Sequence, residues 1–487
     1  MVISILISFY TSRVILRVLG VDDFGVYGVV GGVVGVLGFL NASMAGATSR
    51  FITFELRDGN EKKLNETFCA GMVIHIFIAI IVFILAETLG LWFLNTKLVI
   101  PEDTMVTANW VYQLSILSAI ITITQIPYTS CIIAHEKMDI YAYLEILNVS
   151  LKLGMVFLLE ILPGDKLLIY AILVVVVSII IAMSYRIYSH KKFEECKFHW
   201  SINKPLMKPM LTFSFSDVYG NLCGMSFYQG TAFLINIFFG VAVNAGNAIA
   251  NTVSGILDGL SGNVTTAYRP HIIKQYAAND MEGMTDSLKT GSMIVMLMSA
   301  IICIPAFIYM PLMINIWLGS EPPFTVIFCR LLIIYCIMGQ LNAYLVISIH
   351  ATGNIKWLSF GGGTLYLLTL PAMYIVFNLG FQPYAAYIVH IVDRVFIILL
   401  NVLIVTRLIP HLKLSPFIKK SGATLLLIGL NFFLSLFISH IFPFTIWGAL
   451  LVAVINFLIL TASSFCFLLT EDHRKYVLAK VCAFLHR

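Results

Sequence analysis

The chain has 487 residues, of which 59% are hydrophobic and only 11% are charged, and its mean hydropathy is +0.93. An ordinary soluble domain is excluded, because such domains carry about a quarter charged residues to cover their surface. The net charge of +5 says little as a total, and nothing in it indicates a nucleic-acid partner. The nine cysteines include no CxxC pair and no Cys/His cluster at metal-ligand spacing. We therefore expect an all-α polytopic membrane protein with no metal and no cofactor.

Apolar runs interrupted by Gly, Pro, Asn or charged residues predict about 14 transmembrane helices, since about 20 apolar residues are needed to cross the hydrocarbon core. The predicted spans are 1–19, 26–54, 67–94, 107–133, 141–162, 167–189, 209–239, 243–267, 287–318, 324–349, 357–378, 384–406, 417–441 and 443–469. This arrangement leaves no room for a large soluble catalytic domain.

The connectors between these spans alternate in charge. If the N-terminus is cytoplasmic, the inward connectors hold 22 of the 30 Lys and Arg residues, the outward connectors hold only Lys97 and Lys166, and six lie within spans. Positive charge collects on the cytoplasmic side of membrane proteins. The bias therefore predicts an even number of spans with both termini in the cytoplasm.

The first two predicted spans contain three arginines. Arg13 and Arg17 are four residues apart and share one helix face, and Arg50 lies near the end of span two. Guanidinium groups suit an anionic, phosphate-bearing ligand, which they hold through charge-assisted hydrogen bonds. The alternative is that their long side chains reach to the membrane edge, and the residue pattern leaves both explanations open.

Small residues open span two. The run 25–38 contains Gly28 and Gly32, and Gly31 and Gly35, at four-residue spacing. It follows no strand, so dinucleotide binding is not indicated. The spacing is typical of membrane helices that pack closely together.

Span five carries three charged residues within the predicted membrane region. Glu145 and Lys152 are seven residues apart, and Glu160 follows eight residues later. This spacing predicts one polar stripe along the helix, to which we assign no role.

The longest polar connector, 190–208, separates six spans from the next six. An offset of 220 residues places Gly20 on Gly240 and other residues of the first span pair on their equivalents, and after a one-residue gap Arg50 meets Arg269. This pattern predicts a parallel repeat of the kind used by alternating-access transporters. We predict an N-lobe (1–189, helices 1–6), a cytoplasmic hinge loop (190–208), a pseudo-symmetric C-lobe (209–406, helices 7–12), and helices 13–14 with a cytoplasmic tail (407–487).

Spans seven and eight contain the other candidate ligand-binding residues. Asp217 and Asp258 are candidates for binding a coupling proton or sodium ion, or else for buried pairing with an Arg or a hydroxyl group. Span eight is too polar to face lipid throughout, and we expect four of its side chains to line a water-filled cavity, or to form hydrogen bonds between helices instead. These four are Asn244, Asn247, Asn251 and Ser254.

Residues 17–27 read Arg17-Val-Leu-Gly-Val-Asp-Asp-Phe-Gly-Val-Tyr27. This segment resembles the signature near the start of bacterial polysaccharide-export flippases, the Wzx type of the multidrug/oligosaccharidyl-lipid/polysaccharide exporter superfamily. The span count and the repeat extend the resemblance over nearly the whole chain. The chain departs from the family at its start, which lacks the short basic segment usual before span one.

The resemblance implies a multi-pass protein of the bacterial inner membrane that flips an undecaprenyl-diphosphate-linked oligosaccharide, such as an O-antigen repeat unit of lipopolysaccharide, by alternating access. It also implies contact with membrane lipids and with polysaccharide assembly proteins. Within the signature it supplies only Arg17 as a cavity residue, whereas Arg13, Arg50 and Arg269 follow from their positions on the spans.

Two other functions compete with this one. A cation-coupled multidrug antiporter on the same scaffold would need carboxylates in its cavity, whereas the first two spans offer arginines. A membrane enzyme such as a polysaccharide polymerase or ligase would carry its catalytic groups on a large outward loop, and every outward connector here is short. We therefore expect a flippase and no enzyme.

Overall fold

The computed structural model describes residues 2–38, 44, 48–49, 51–53, 55–56, 60–135, 137–200, 203–319, 321–468 and 474. Within these ranges the side chains of 2–6, 8–9, 138, 212–217, 260, 263, 266–267 and 270 are not described. Every regular element in the described part of the chain is helical.

The long helices, numbered in chain order, are as follows: α1 Val2–Val36, α2 Glu61–Thr96, α3 Met105–Ala134, α4 Met138–Ile161, α5 Lys166–Lys192, α6 Lys204–Phe239, α7 Val241–Ala277, α8 Met281–Ile308, α9 Met310–Leu318, α10 Thr325–Ala351, α11 Leu358–Asn378, α12 Ala385–Leu408, α13 Leu414–Ser439 and α14 Ile446–Phe467. A 3₁₀ turn, Glu194–Cys196, interrupts the connector after α5.

Ten helices of the described chain are long and apolar enough to cross a membrane: α2, α3, α5, α6, α8, α10, α11, α12, α13 and α14. They coincide with ten of the 14 predicted spans. The other four fall on α1, on residues 39–54, on α4 and on α7, which are the segments richest in charged or amide side chains or only partly described. The prediction of an all-α, multi-pass membrane protein is confirmed.

The residues form two compact units. The first consists of Met1–Ile249, Trp317–Thr325 and Ser359–Val389, and the second of Ala250–Ile316, Val326–Leu358 and His390–Arg487. α6 and α11, which the sequence assigns to the C-lobe, pack against each other within the first unit. The boundaries of the two lobes stay a prediction.

Apolar side chains build the core of the first unit, in which α3 packs along α5 and α1 packs on α3 and α4. Val26, Val29 and Val30 of α1 are fully buried there. Tyr112 of α3 is buried as well, and its hydroxyl donates to the carbonyl of Ala86 at 2.8 Å. Ala86 begins a π-helical turn of α2, so this hydrogen bond satisfies a carbonyl at an irregular point of the helix.

In the second unit α8, α13 and α14 pack together, and one buried amide connects all three. Asn456 of α14 accepts a hydrogen bond from Asn431 Nδ2 of α13 at 2.7 Å and donates to the carbonyl of Ile301 on α8 at 3.1 Å. Polar side chains join membrane helices in this way because an unpaired amide is costly in an apolar environment.

Candidate functional site

α1 bends at Gly20, where φ is 81° and ψ is 175°. This backbone conformation is essentially restricted to glycine. Gly240, between α6 and α7, has the same conformation, with φ at 82° and ψ at −178°. The predicted repeat places these two glycines on each other, so the two halves of the chain share the same backbone bend.

The first-helix arginines lie just before this bend. Arg17 Nη2 donates to Oε1 of Glu160 on α4 at 2.6 Å, and the two side chains are 58% and 48% exposed. Arg13 is exposed and forms no hydrogen bond or ion pair with the described residues. Half-exposed ion pairs contribute about 0–1 kcal/mol, so Arg17 can exchange Glu160 for another anion at little cost.

The structure describes only one of the two remaining predicted arginines. Arg50 lies outside the described residues. Arg269 is exposed on α7 in the second unit, and it too has no hydrogen-bond or ion-pair partner in the described part of the chain. Their role toward an anionic ligand stays a prediction.

A polar cavity of about 610 Å³ lies inside the first unit, between α1, α3, α4 and α5. Glu145, Asn148 and Lys152 of α4 line it together. Their spacing of three and four residues places them on one helix face, as the sequence predicts for Glu145 and Lys152 in the polar stripe of span five. Glu160, the third member of that stripe in the prediction, pairs with Arg17 instead of lining the cavity.

Hydroxyl groups line the facing walls of this cavity. Ser118 of α3 and Ser178 of α5 are hydrogen-bonded at 2.8 Å. The rings of Tyr27 and Tyr170 meet edge to face, 4.6 Å apart, and both also line the cavity. These Ser and Tyr residues were not predicted from the sequence as cavity residues, because single Ser, Thr and Tyr residues in membrane helices usually serve helix packing.

The predicted polar face of α7 is divided between the two units. In the first unit Asn244 and Asn247 are buried, and Asn247 Nδ2 donates to Asn244 Oδ1 at 3.2 Å. The hydroxyl of Tyr387 on α12 donates to Asn247 Oδ1 at 2.6 Å. Asn247 therefore forms a hydrogen bond between helices, which is the alternative that the sequence left open for span eight, and Asn244 is bonded to it along the same helix.

Further along α7, in the second unit, Asn251 is half-buried and Ser254 is buried. Ser254 Oγ lies 3.2 Å from Cys336 Sγ of α10 and 3.5 Å from Asp258 Oδ2. Whether these residues line a water-filled cavity stays a prediction. The side chain of Asp217 lies outside the described residues.

Asp258 has a basic neighbour in the second unit. Its carboxyl group interacts electrostatically with Arg394 of α12, whose guanidinium lies 4.0 Å from the ring centroid of Tyr335 on α10. Asp393, the residue before Arg394, is 7% exposed. The sequence analysis identified Asp258, but its relation to Arg394 joins two helices that are far apart in the chain.

The connector 190–208 is attached to the first unit. Asn65 Nδ2 donates to the carbonyls of Glu195 and Lys197 at 2.7 and 2.9 Å, and His135 Nε2 lies 2.5 Å from Glu195 Oε1. The ring of His135 also stacks on Phe193 at 4.1 Å. The predicted hinge loop is therefore held at its first half by specific side chains.

No family model matches the chain, and no curated protein matches it. Among solved structures, the chain is similar to the lipid II flippase MurJ in an inward closed conformation, with a TM-score of 0.69 and 15% identity over 96% of this chain and 99% of that one. It is also similar to an inward-facing multidrug resistance MATE family transporter of the MOP superfamily, with a TM-score of 0.63 and 11% identity over 84% of this chain and 96% of that one.

A third similar structure is the eukaryotic MATE transporter AtDTX14, with a TM-score of 0.57 and 15% identity over 86% of this chain and 97% of that one. At these identities the likeness establishes the fold. The chain thus has the architecture shared by a lipid-linked precursor flippase and by multidrug transporters.

Proposed function

We propose that the protein flips an undecaprenyl-diphosphate-linked oligosaccharide across the bacterial inner membrane by alternating access. The observation that carries this proposal is the extent of the fold likeness. The lipid II flippase aligns with 96% of this chain, whereas the two MATE transporters align with 84% and 86%. A larger share of this chain therefore aligns with the lipid II flippase than with the two MATE transporters, which supports the proposal.

The charges of the first helix support an anionic substrate. Arg13 is unpaired among the described residues, and Arg17 is held only by a half-exposed ion pair. In our proposal these two arginines, helped by Arg50 and Arg269, bind the diphosphate through charge-assisted hydrogen bonds. The prenyl tail stays in the lipid, and the oligosaccharide crosses within the protein.

The connector 190–208 serves as the hinge of the transport cycle in this proposal. Its first half is attached to α2 by the hydrogen bond from Asn65 to the Glu195 carbonyl. Cytoplasmic termini, the inner-membrane location and contacts with polysaccharide assembly proteins belong to the same proposal. Asp258, whose charge interacts with Arg394, is our candidate for coupling to a proton or sodium gradient, together with Asp217.

A cation-coupled multidrug antiporter is the second candidate, because MATE transporters share the fold. Asp393 favours it, since this carboxyl group is 7% exposed and its Oδ2 has no hydrogen-bond partner among the described residues. The first-helix arginines oppose it. Drug sensitivity of a host that lacks its own exporters separates the two candidates.

Complementation tests the first proposal. The chain is expressed in a bacterium whose polysaccharide flippase is deleted, and surface polysaccharide and lipid-linked precursor are measured. The proposal predicts restored surface polysaccharide and a falling precursor level. Arg13→Ala and Arg17→Ala variants should insert normally and fail to restore the polymer, and normal export by both variants would contradict the assigned role of the arginines.

A further inference from the structure

The cavity inside the first unit has the size and lining of a ligand site. Its volume of about 610 Å³ falls within the range of about 300–1,000 Å³ that is usual for small-molecule pockets. It is lined by the middle portions of α1, α3, α4 and α5, so it lies at the depth where polar groups are costly in a membrane. A second cavity of about 300 Å³ shares Tyr27, Ser118 and Thr122 with it.

The charges in this cavity leave one cation available. The Glu145 carboxylate interacts with the hydroxyl of Tyr185, whereas Lys152 forms no hydrogen bond or ion pair with any described residue. No arginine is among the described residues that line the cavity. Glu145 lines the same cavity and repels any anion, but it repels one carboxylate less than a diphosphate, whose charge also exceeds what Lys152 can balance.

The remaining polar groups favour a hydroxylated ligand. Asn148 lies one turn from Lys152 on the same helix face and also has no hydrogen-bond partner in the described part of the chain. The Gln125 amide and the hydroxyl groups of Ser118 and Ser178 stand on the other walls. Amides and hydroxyls both donate and accept hydrogen bonds, as the hydroxyl groups of a sugar require.

We propose that this cavity, through Lys152 and Asn148, is a subsite for a sugar unit that carries one carboxylate. Lys152 binds the carboxylate, and Asn148 and Gln125 bind the sugar hydroxyls. This inference rests on the proposed flippase function, in which the sugar would belong to the transported oligosaccharide. It assigns the sugar to a site separate from the arginines that bind the diphosphate.

Chemical labelling of a cysteine in the cavity tests the proposal without a transport assay. Asn148→Cys is introduced in a Cys466→Ser, Cys482→Ser background, and the purified full-length protein in lipid nanodiscs is labelled with a negatively charged methanethiosulfonate. Because Asn148 itself is altered, Ser178→Cys on the opposite wall is labelled in parallel. Sodium glucuronate, glucose and inorganic phosphate are added as probes at equal ionic strength.

We expect both cysteines to react and glucuronate to slow the reaction, while glucose and phosphate have no comparable effect. In a Lys152→Gln variant, the protection by glucuronate should be about tenfold weaker, because a neutral hydrogen bond replaces a charge-assisted one. A Lys152→Arg variant should retain most of it. A positively charged methanethiosulfonate serves as the comparison reagent, and Lys152→Gln, which leaves Glu145 as the charged group in the described lining, should shift the ratio of the two labelling rates toward the positive reagent.

Three results would overturn the subsite. They are absence of labelling at both positions in folded protein, equal protection by glucose and glucuronate, and protection by phosphate as strong as by glucuronate, which would indicate a general anion site. The complementation result and the labelling result can be distinguished. If the chain fails complementation but glucuronate still protects the cysteines through Lys152, the subsite stands and the flippase function is rejected.

Discussion

Arg17 and Glu160 form the most informative pair at the residue scale, because the ion pair and the proposed substrate compete for the same guanidinium. We predict that Glu160→Gln leaves polysaccharide export near the wild-type level, since it frees Arg17 for the diphosphate. Arg17→Ala should reduce export by tenfold or more, as expected for loss of a charge-assisted interaction. Surface polysaccharide, normalised to protein level in the membrane, measures both.

A purely structural pair would behave differently. The two substitutions would then lower protein level and export equally, because either one breaks the same half-exposed contact. Equal losses in both variants would therefore exclude Arg17 as a substrate-binding residue. Thermal melting of the purified variants serves as the control, with changes of about 1 kcal/mol or less expected for each.

Asp23 gives a pH-dependent prediction. This residue lies in the predicted outward connector between spans one and two, where burial raises its carboxyl pKa above the ordinary 3.8, and the charges of Asp165, Asp22 and Asp103 raise it further. A raised pKa in the folded protein disfavours the ionised form. Its contribution to stability is therefore present at low pH and is lost as the pH rises through the raised pKa.

Asp23→Asn should accordingly raise the melting temperature at pH 7.5, and the gain should shrink as the pH falls toward 3.8. The exposed neighbour Asp22 is the matched control, and Asp22→Asn should give a smaller gain. A gain from Asp23→Asn that does not change with pH would show that the carboxyl charge is not responsible.

Much of the candidate site was predictable at the level of single helices and little of it between helices. The spacing of Glu145 and Lys152 predicts their common face, because helix geometry is local. The partner of Arg17 was not predictable, since Glu160 lies 143 residues away in the chain. The same holds for Arg394 and Tyr335, which come together only when α10 and α12 pack.

At the element scale, Gly20 and Gly240, which the predicted repeat places on each other, bend the backbone in the same way. Neither glycine would place a Cβ atom within 4 Å of a neighbour, so space does not explain the choice of residue. The positive φ angles of 81° and 82° explain why glycine stands at both positions, because an L side chain is strained in this conformation.

We predict that Gly20→Ala and Gly240→Ala each destabilise the protein by about 1–3 kcal/mol. Gly255→Ala is the control, since its Cβ also meets no atom within 4 Å and its backbone lies within α7 with no positive φ. Thermal unfolding in detergent measures all three. A control as unstable as the two test variants would mean that backbone strain is not the cause.

Hydropathy predicted the elements well because apolar length is set by membrane thickness. It was least informative for α4 and α7, whose polar side chains line a cavity or bond to other helices. The glycine run 25–38, which follows the bend, contains some glycines that allow close helix packing and others that line a cavity. A Cβ on Gly25 or Gly32 would clash with Val241 or Gln229, as close packing predicts, whereas Gly31 and Gly35 line a cavity.

At the scale of the whole molecule, the fold is shared by proteins with two transport chemistries, and our proposal chooses between them by charge. The same architecture occurs in a lipid II flippase and in multidrug transporters. Fold alone does not determine function, so the substrate has to be argued from the side chains. In our proposal, Arg13 and Lys152, which have no partner among the described residues, favour an anionic substrate over an organic cation.

The most direct test of this account is complementation of a flippase-deleted bacterium, with surface polysaccharide and lipid-linked precursor measured together. Repeat units that contain an acidic sugar are the substrate of choice, because they suit both the arginines and the proposed subsite. The account predicts that surface polysaccharide returns and that precursor falls. Unchanged precursor in cells where the protein is correctly inserted, together with new resistance to cationic drugs, would contradict it and establish the antiporter.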